Sequence, residues 1–366
     1  MYSCIKCNAA YPELGLPYRC KICGGVYDCD SIHFQPPTAD FIKMPGFWRY
    51  RQSFDLPTNA PVIRLGEGQT PLVWMDEFGY KIALKCEYQN PTGSFKDRGS
   101  ATLVSFLCAR GVERVVEDSS GNAGASLAAY AARAGILTQI YVPEYASGPK
   151  RRQIEAYGAE VIPVSGWRID VTEEALLAVN GSEVYASHAY LPFNIPGYAT
   201  IAYELVEQLG QAPGTFICPV GHGGLLLGVA RGFTALKDAG LIDRYPKLIG
   251  VQAMACAPLA EMYTKHSHQI QRVVEGNTLA EGIRVANPLK SKEVVAAVLS
   301  SDGDFITVSE PKILSGRDEL ASRGFYVEMT SATVWDALEQ AVNKDSNQRL
   351  PEPVVLVLTG SGLKTG

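Results

Sequence analysis

The sequence predicts an α/β protein with a mostly parallel sheet covered by helices, preceded by a small cysteine-rich module. From residue 81 onward, short runs rich in β-branched residues alternate with helical patterns, an arrangement typical of parallel sheets with helices on their faces. The chain has 366 residues, and that length suits roughly two to two and a half domains. Two Cys-x-x-Cys pairs lie within the first 23 residues.

The composition limits the class of protein. Lys and Arg number 33 against 38 Asp and Glu, a net charge of -5, so the chain lacks the basic excess of a nucleic-acid-binding protein. Its longest apolar runs, around Leu225–Val229 and Val354–Leu358, are much shorter than the roughly 18 residues that cross a bilayer. The first residues contain no apolar export segment. We therefore expect a cytoplasmic protein without nucleic-acid or membrane partners.

The cysteine-rich module, residues 1–30, has the spacing of a structural metal site. Each cysteine pair is followed by turn-forming residues, Asn8 after the first and Gly24-Gly25 after the second. Four thiolates in two such turns suit tetrahedral Zn²⁺ and leave no open position for catalysis. Unrelated cysteines or a redox pair fit the spacing less well. The predicted zinc ligands are Cys4, Cys7, Cys20 and Cys23, and the predicted core cysteines are Cys29, Cys86, Cys108, Cys218 and Cys256.

After a connecting segment at residues 31–80, strands and helices alternate. The helical patterns each end at or near a glycine. The strand candidates are KIALKCEY, RVVEDSS, TQIYVP, EVIPVS, TFICPV, KLIGVQA and PVVLVLTG. The helix candidates are AGASLAAYAARAG, KRRQIEAYG, YATIAYELVEQLG and LLLGVARGFTALKDAG. Ligands of such sheets bind at the carboxyl ends of the strands, so the turns that follow strands are candidate sites.

The first candidate turn is NPTGSFKDRG, residues 90–99. An arbitrary lysine is usually a solvated surface charge. Lys96, however, lies in a Pro/Gly turn that opens a helix, where the positive helix end and Arg98 favour the neutral amine. Lys96 is therefore a candidate for a Schiff-base lysine.

The second turn is DSSGNAG, residues 118–124, at the next strand end. Hydroxyl and backbone N–H groups at a helix N-terminus can bind a carboxylate, and an amide side chain can reach a phenolic oxygen. A simple helix cap is an equal alternative.

The third turn is GHGGLLLG, residues 221–228. Its glycines let the backbone approach a phosphate, and the pattern suits a phosphate monoester better than a dinucleotide. His222 could equally point to solvent.

The fourth turn, LTGSGLK at residues 358–364, places a hydroxyl after the strand VVLVL. That hydroxyl could bind a heteroaromatic nitrogen, although the segment taken alone is only a turn.

At these residues the chain resembles the fold type II enzymes that use pyridoxal 5'-phosphate (PLP), and the threonine synthase family in particular. The resemblance runs from EGQTPL, residues 67–72, to the C-terminus, and some threonine synthases have a similar zinc-ribbon-like leader. It implies two doubly wound α/β domains, a smaller one at 81–200 with the PLP lysine and a larger one at 201–366 with the phosphate loop. It also implies a homodimer acting on a small amino acid.

The resemblance further implies a role for each candidate residue. Lys96 would bind the cofactor covalently and act in catalysis, while Asn122 would contact its phenolic oxygen and Thr359 its ring nitrogen. The substrate carboxylate would bind Ser119, Ser120 and Gly121. The cofactor phosphate would bind Gly221, His222, Gly223, Gly224 and Leu225.

Two segments depart from the family pattern. Threonine synthases usually have Arg and Lys residues that hold the substrate phosphate, whereas residues 188–200 read HAYLPFNIPGYAT and residues 170–230 contain no Lys or Arg. A dianionic phosphate is costly to bind without cations. The segment LAEGI, residues 279–283, is more similar to threonine and serine dehydratases, and Glu281 could be a proton carrier or a surface residue.

The sequence thus predicts a PLP-dependent lyase or synthase that catalyses elimination or replacement at the β or γ carbon of an amino acid. Authentic threonine synthase, a dehydratase-type ammonia-lyase and a non-catalytic PLP-binding regulator remain alternatives. A zinc-ribbon nucleic-acid module is disfavoured by the acidic composition.

Overall fold

The computed structural model describes residues 2–146, 148–166, 168–179, 183–267, 269–270, 275–344 and 349–365. Within these ranges no helix combines the length and apolar character needed to cross a membrane. The strands are β1 Tyr2–Cys4, β2 Tyr27–Cys29, β3 Leu72–Glu77, β4 Tyr80–Lys85, β5 Arg114–Glu117, β6 Leu137–Pro143, β7 Glu160–Val164, β8 Val184–Tyr185, β9 Thr215–Pro219, β10 Lys247–Ala253, β11 Asp304–Val308 and β12 Val354–Val357. The helices are α1 Lys96–Ala109, α2 Asn122–Ala134, α3 Pro149–Ala156, α4 Arg168–Leu177, α5 Ile195–Leu209, α6 Gly224–Asp238, α7 Pro258–Thr264, α8 Ser291–Leu299, α9 Glu310–Ser322 and α10 Met329–Asn343.

The chain forms two compact units. The first comprises Met1–Gly68, Asn90–Tyr198 and Thr365–Gly366, and the second comprises Gln69–Gln89 and Ala199–Lys364. The sequence assigns the strand KIALKCEY to the smaller domain, but β4 pairs with β12 and therefore belongs to the second unit. The expected connecting segment is also divided between the units, since its last residues belong to the same hairpin as β4.

The first unit contains a four-stranded parallel sheet in the order β7-β6-β5-β8. Helices α1 and α2 pack together, and small residues allow close contact, with Ala125, Ala128 and Ala131 almost fully buried. Helix α2 ends at Gly135, whose φ of 73° is the left-handed conformation typical of a helix end. The carboxyl end of β5 leads directly into residues 118–121, the second candidate turn.

The cysteine-rich module lies in the same unit. Strands β1 and β2 pair in antiparallel fashion. The module packs on the α/β body through aromatic rings: Tyr2 and Tyr11 contact Phe193 edge-on, at centroid distances of 4.8 Å and 5.0 Å. Phe193 stacks on Phe106 of α1 at 3.6 Å. The module is therefore held against α1 by buried apolar surface.

The second unit contains a six-stranded sheet in the order β11-β10-β9-β12-β4-β3. Five strands are parallel, while β3 pairs with β4 in antiparallel fashion at the edge. Strand β12 lies between β9 and β4 and is fully buried. At the end of β4, Lys85 is also fully buried. Its ammonium donates to Thr70 O at 2.9 Å, to Glu204 Oε2 at 2.8 Å and to Gln208 Oε1 at 3.0 Å.

The predicted alternation of strands and helices is confirmed, with shifted boundaries. KLIGVQA coincides with β10, whereas KIALKCEY continues three residues beyond β4 into a 3-10 turn at Glu87–Gln89. The sequence analysis did not assign β3, β8 and β11 as strands. Strand β3 is a partly exposed edge strand and β8 has only two residues, so neither gives a strong apolar run.

Candidate functional site

Lys96 is the first residue of α1, at the end of the first candidate turn. The N–H of Gly93 donates to the carbonyl of Asn90 at 2.8 Å, which closes the turn. Behind it, the fully buried Asp97 accepts hydrogen bonds from the backbone and hydroxyl of Thr92 at 2.7 Å and 2.5 Å. The Lys96 ammonium lies 4.9 Å from the centre of the Phe95 ring. The turn is thus fixed from the interior while Lys96 remains partly exposed.

Tyr198 covers the face of α1 that carries Lys96. Helical residues three positions apart share a face, so Gly99 lies next to Lys96 on α1. A Cβ added at Gly99 would lie 2.6 Å from the Tyr198 hydroxyl oxygen. The Tyr198 ring also lies 5.2 Å from that of Phe95. The sequence analysis did not identify Tyr198, and the glycine at position 99 was the only local signal for this contact.

The loop Ser119–Gly121 and the first residue of α2, Asn122, lie in the same unit as Lys96. Gly121 caps α2 with an extended φ of -102°. A Cβ at Gly124 would lie 1.9 Å from the carbonyl oxygen of Ser119, so only glycine lets the loop fold this closely over the helix. Backbone N–H groups at the start of a helix suit a bound carboxylate.

Two acidic residues lie directly before this loop. Asp118 forms an ion pair with Arg168 at 2.9 Å and accepts a hydrogen bond from the Thr172 hydroxyl at 2.6 Å. Burial acts to raise the pKa of Asp118, but the charge of Arg168 and the hydrogen bonds outweigh it and lower the pKa. For Glu117, burial and the neighbouring Asp118 raise the pKa well above the usual value. Sequence reasoning missed Glu117, because its significance depends on burial.

The third candidate turn lies in the second unit, between β9 and α6. Gly223 has a φ of 86° and caps α6, and a Cβ there would lie 2.3 Å from Val294 Cγ2. A Cβ at Gly221 would lie 3.1 Å from the carbonyl oxygen of Gly282. Side chains are therefore disfavoured at Gly221 and Gly223, and the backbone of the loop at the N-terminus of α6 suits a phosphate group.

Thr359 follows β12 in the same unit and is 2% exposed. Its hydroxyl lies 2.9 Å from the hydroxyl of Ser331. Ser331 also accepts a hydrogen bond from the N–H of Gly360 at 2.8 Å, so α10 fixes the orientation of this turn. Sequence reasoning missed Ser331, which lies 28 residues earlier in the chain. Glu281 is exposed on a short 3-10 turn, Glu281–Ile283.

Each unit contains part of the predicted site. The first unit contains Lys96, Ser119, Ser120, Gly121 and Asn122. The second contains Gly221, His222, Gly223, Gly224, Leu225 and Thr359. The second, third and fourth turns directly follow the carboxyl ends of parallel strands β5, β9 and β12, as ligand-binding turns of open α/β sheets do.

The four cysteines of the N-terminal module also come together. Their sulfur atoms all lie within 4.8 Å of one another. The Cys4–Cys23 and Cys7–Cys20 sulfur pairs are 3.4 Å and 3.7 Å apart, close to the distance of about 3.8 Å expected between thiolates on one tetrahedral zinc. The N–H groups of Asn8 and Gly24 fold back to Cys4 O and Cys20 O at 2.9 Å and 2.8 Å. The donor set fits a tetrahedral metal.

Residues 63–360 match the family described as "Pyridoxal-phosphate dependent enzyme". The chain belongs to this family. It is 34% identical to the threonine synthase of Methanocaldococcus jannaschii over 99% of this chain and 92% of that protein. It is 35% identical to the threonine synthase of Mycobacterium tuberculosis strain H37Rv over 90% of this chain and 91% of that protein.

Two solved structures are similar to this PLP-dependent enzyme. The threonine deaminase of T.th. has a TM-score of 0.64 and 28% identity, covering 80% of this chain and 92% of that chain. Maize serine racemase has a TM-score of 0.68 and 23% identity, covering 81% of this chain and 91% of that chain. This similarity shows the fold alone. The predicted fold type II architecture and the predicted resemblance to threonine synthases are confirmed.

Proposed function

We propose that this PLP-dependent, threonine synthase-like lyase catalyses elimination or replacement at the β or γ carbon of an amino acid. The proposal rests chiefly on the fixed turn that presents Lys96 at the start of α1. Lys96 holds the cofactor and moves the proton of the substrate α-carbon. Bound PLP supplies an electron sink for the pair that this proton leaves behind. Ser119, Ser120 and Gly121 orient the substrate carboxylate.

The remaining residues position the cofactor. The backbone of residues 221–225 binds its phosphate, and Asn122 contacts its phenolic oxygen. Thr359 binds the ring nitrogen through a hydroxyl, which carries no full charge. With Thr359 as its partner the ring nitrogen would stay neutral, which would temper the electron sink and favour elimination or replacement over decarboxylation. The contact between Ser331 and Thr359 supports this role, because it holds the hydroxyl in place.

Borohydride reduction of the purified holoenzyme, followed by peptide mapping, tests the proposal. We expect the reduced cofactor on Lys96 and none on Lys85, whose ammonium is enclosed by three hydrogen-bond acceptors. A Lys96→Ala variant should lose the attached cofactor. A label on another lysine, or a protein that stays colourless after incubation with PLP, would refute the assignment.

For the substrate, we propose an amino acid other than O-phosphohomoserine. Arg168 lies just before the segment that lacks Lys and Arg, but it is already paired with Asp118 at 2.9 Å. Each charge-assisted hydrogen bond to a phosphate contributes about 1.5–3 kcal/mol. The loss of two such bonds would weaken binding by roughly 10²- to 10⁴-fold.

Similar proteins favour two of the alternatives. The curated threonine synthases that match nearly the whole chain favour authentic threonine synthase, and the deaminase structure favours an ammonia-lyase. Assays with O-phosphohomoserine, threonine, serine, O-phosphoserine and diaminopropionate, with phosphate, ammonia and keto acid measured separately, would distinguish these functions. Efficient threonine formation from O-phosphohomoserine would overturn our substrate proposal, and Arg168→Ala would then test that residue.

We also propose that Cys4, Cys7, Cys20 and Cys23 bind one structural zinc. The clustering of their sulfur atoms supports this role. Cys20→Ser should lose the metal while the absorption of the bound PLP survives, and Cys108→Ser, in α1, should retain both. Reduced, freshly purified wild-type protein without zinc would contradict the proposal. We further propose a cytoplasmic location, where thiols stay reduced. We also propose that the protein is a homodimer, which sedimentation at several protein concentrations would test.

A further inference from the structure

Glu117 is a buried acid that the proposed mechanism leaves unused. It ends β5 and is 1% exposed. Its Oε1 atom makes no hydrogen bond to any residue that the structure describes. Its titratable partner is His188, whose Nδ1 lies 3.5 Å from Oε1. This separation slightly exceeds the usual hydrogen-bond range of about 2.7–3.2 Å.

The segment that carries His188 is held in a fixed position. The N–H of Leu191 donates to Ser187 O at 2.9 Å. Asn194 Nδ2 donates to the carbonyl of His188 at 2.7 Å, and Asn194 also hydrogen-bonds Tyr198, the residue that covers the Lys96 face of α1. Glu117 and His188 are thus paired within the first unit, and Lys96 of the same unit is among the charges that act on Glu117.

The charges around Glu117 oppose one another. Burial and Asp118 raise its pKa, while Arg168, Lys96 and the backbone of His188 lower it. The net effect is a pKa well above the usual value, so the carboxyl keeps its proton at a higher pH than an ordinary glutamate. Tyr185 and Tyr198 also face Glu117, and their own pKa values are raised by burial.

We propose that Glu117 and His188 share one proton and together set the charge of the Lys96 amine. With the proton on Oε1 or on Nδ1, the pair has no net charge and does not stabilise a cation on Lys96. When that proton leaves, the negative carboxylate stabilises the ammonium form of Lys96. Less of the neutral, nucleophilic amine is then present. Both are positioning residues that act through Lys96, so the inference rests on the role proposed for Lys96.

The test follows the absorbance of PLP bound to the full-length holoenzyme as the pH is raised. The wild-type spectrum should show a transition that Glu117→Gln abolishes, since the amide imitates the protonated carboxyl. Glu113→Gln, an exposed acid four residues earlier, should keep the transition. His188→Asn should lower its midpoint by about half a unit to one unit, because the imidazole no longer accepts the carboxyl proton.

A transition unchanged in Glu117→Gln would overturn the proposal, and an unchanged midpoint in His188→Asn would overturn the pairing. An infrared band of a protonated carboxyl at neutral pH, present in the wild type and lost in Glu117→Gln, is expected independently of the cofactor. Its absence while the His188 imidazole is also neutral would refute the proposal, because the shared proton would then lie on neither residue. If Glu117→Gln fails to fold, the wild-type titration and His188→Asn still decide. A borohydride label on another lysine would instead refute the function proposed for Lys96.

Discussion

Replacing Gly223 with alanine should weaken PLP binding by distorting the phosphate loop. A left-handed conformation costs an L-residue about 1–2 kcal/mol, and Gly223 has a φ of 86°. The new Cβ would also lie 2.3 Å from Val294 Cγ2, an overlap that adds about 1–3 kcal/mol. We therefore expect a destabilisation of about 2–5 kcal/mol.

The protein can relieve this overlap by shifting the loop, which moves the N–H groups away from the phosphate. The loss of one charge-assisted hydrogen bond of about 1.5–3 kcal/mol corresponds to roughly 10- to 150-fold weaker binding. Absorbance titration of the apoprotein with PLP measures this change, and urea unfolding measures the stability.

The matched control is Gly240→Ala, just beyond the other end of α6. Gly240 has a φ of 71°, but a Cβ there would meet nothing within 4 Å. It should lose only the backbone contribution of about 1–2 kcal/mol and bind PLP normally. The double variant Gly223→Ala with Val294→Ala, compared with both single variants, should recover part of the affinity. Equal PLP affinity in Gly223→Ala and Gly240→Ala would refute the reasoning.

Three further perturbations test the surroundings of the site. Ser331→Ala should lower the free energy of unfolding by about 1–3 kcal/mol, because the buried N–H of Gly360 loses its acceptor. Urea unfolding would contradict this if the stability lost were no larger than that lost when an exposed serine is replaced by alanine. Lys85→Met should cost about 3–5 kcal/mol, because Glu204 remains charged and buried, and Lys85→Met combined with Glu204→Leu should recover most of it. The pKa of Asp118 is lowered in the folded state, so its contribution to stability is present above the unfolded pKa and is lost as the pH falls through the folded pKa. In Asp118→Asn the free energy of unfolding should therefore fall less steeply as the pH is lowered. An unchanged acid dependence of stability would contradict a stabilising ion pair between Asp118 and Arg168.

The sequence was informative where chemistry depends on local geometry. Turns with glycine after apolar strands predicted the loops at residues 118–124 and 221–228, because a strand, a turn and a helix are encoded by neighbouring residues. The contacts that hold these loops connect distant parts of the chain. Asp97 is tied to Ser126 of α2 at 2.7 Å, and Ser331 is tied to Thr359. No local pattern indicates such pairs.

The sequence also could not show which charged side chains are buried. Glu117 and Asp118 are adjacent acids in the sequence, yet one has a raised pKa and the other a lowered pKa. The difference arises because Arg168 and Thr172 of α4 reach Asp118 directly. The edge strand β3 was missed for a related reason, since its partly exposed side chains do not form an apolar run.

The central place of β12 has a consequence for how the chain is made. Strands β9 and β4 flank it, so a nascent chain that ends before residue 354 has a gap in the middle of its second sheet. The first unit has all four strands of its parallel sheet within residues 114–185 and can assemble while synthesis continues. The second unit must wait for its last strand, with apolar edges on both sides of the gap open to solvent. A ribosome stalled before it reaches the codon for residue 354 would thus hold a chain with one finished unit and one exposed to aggregation and proteolysis.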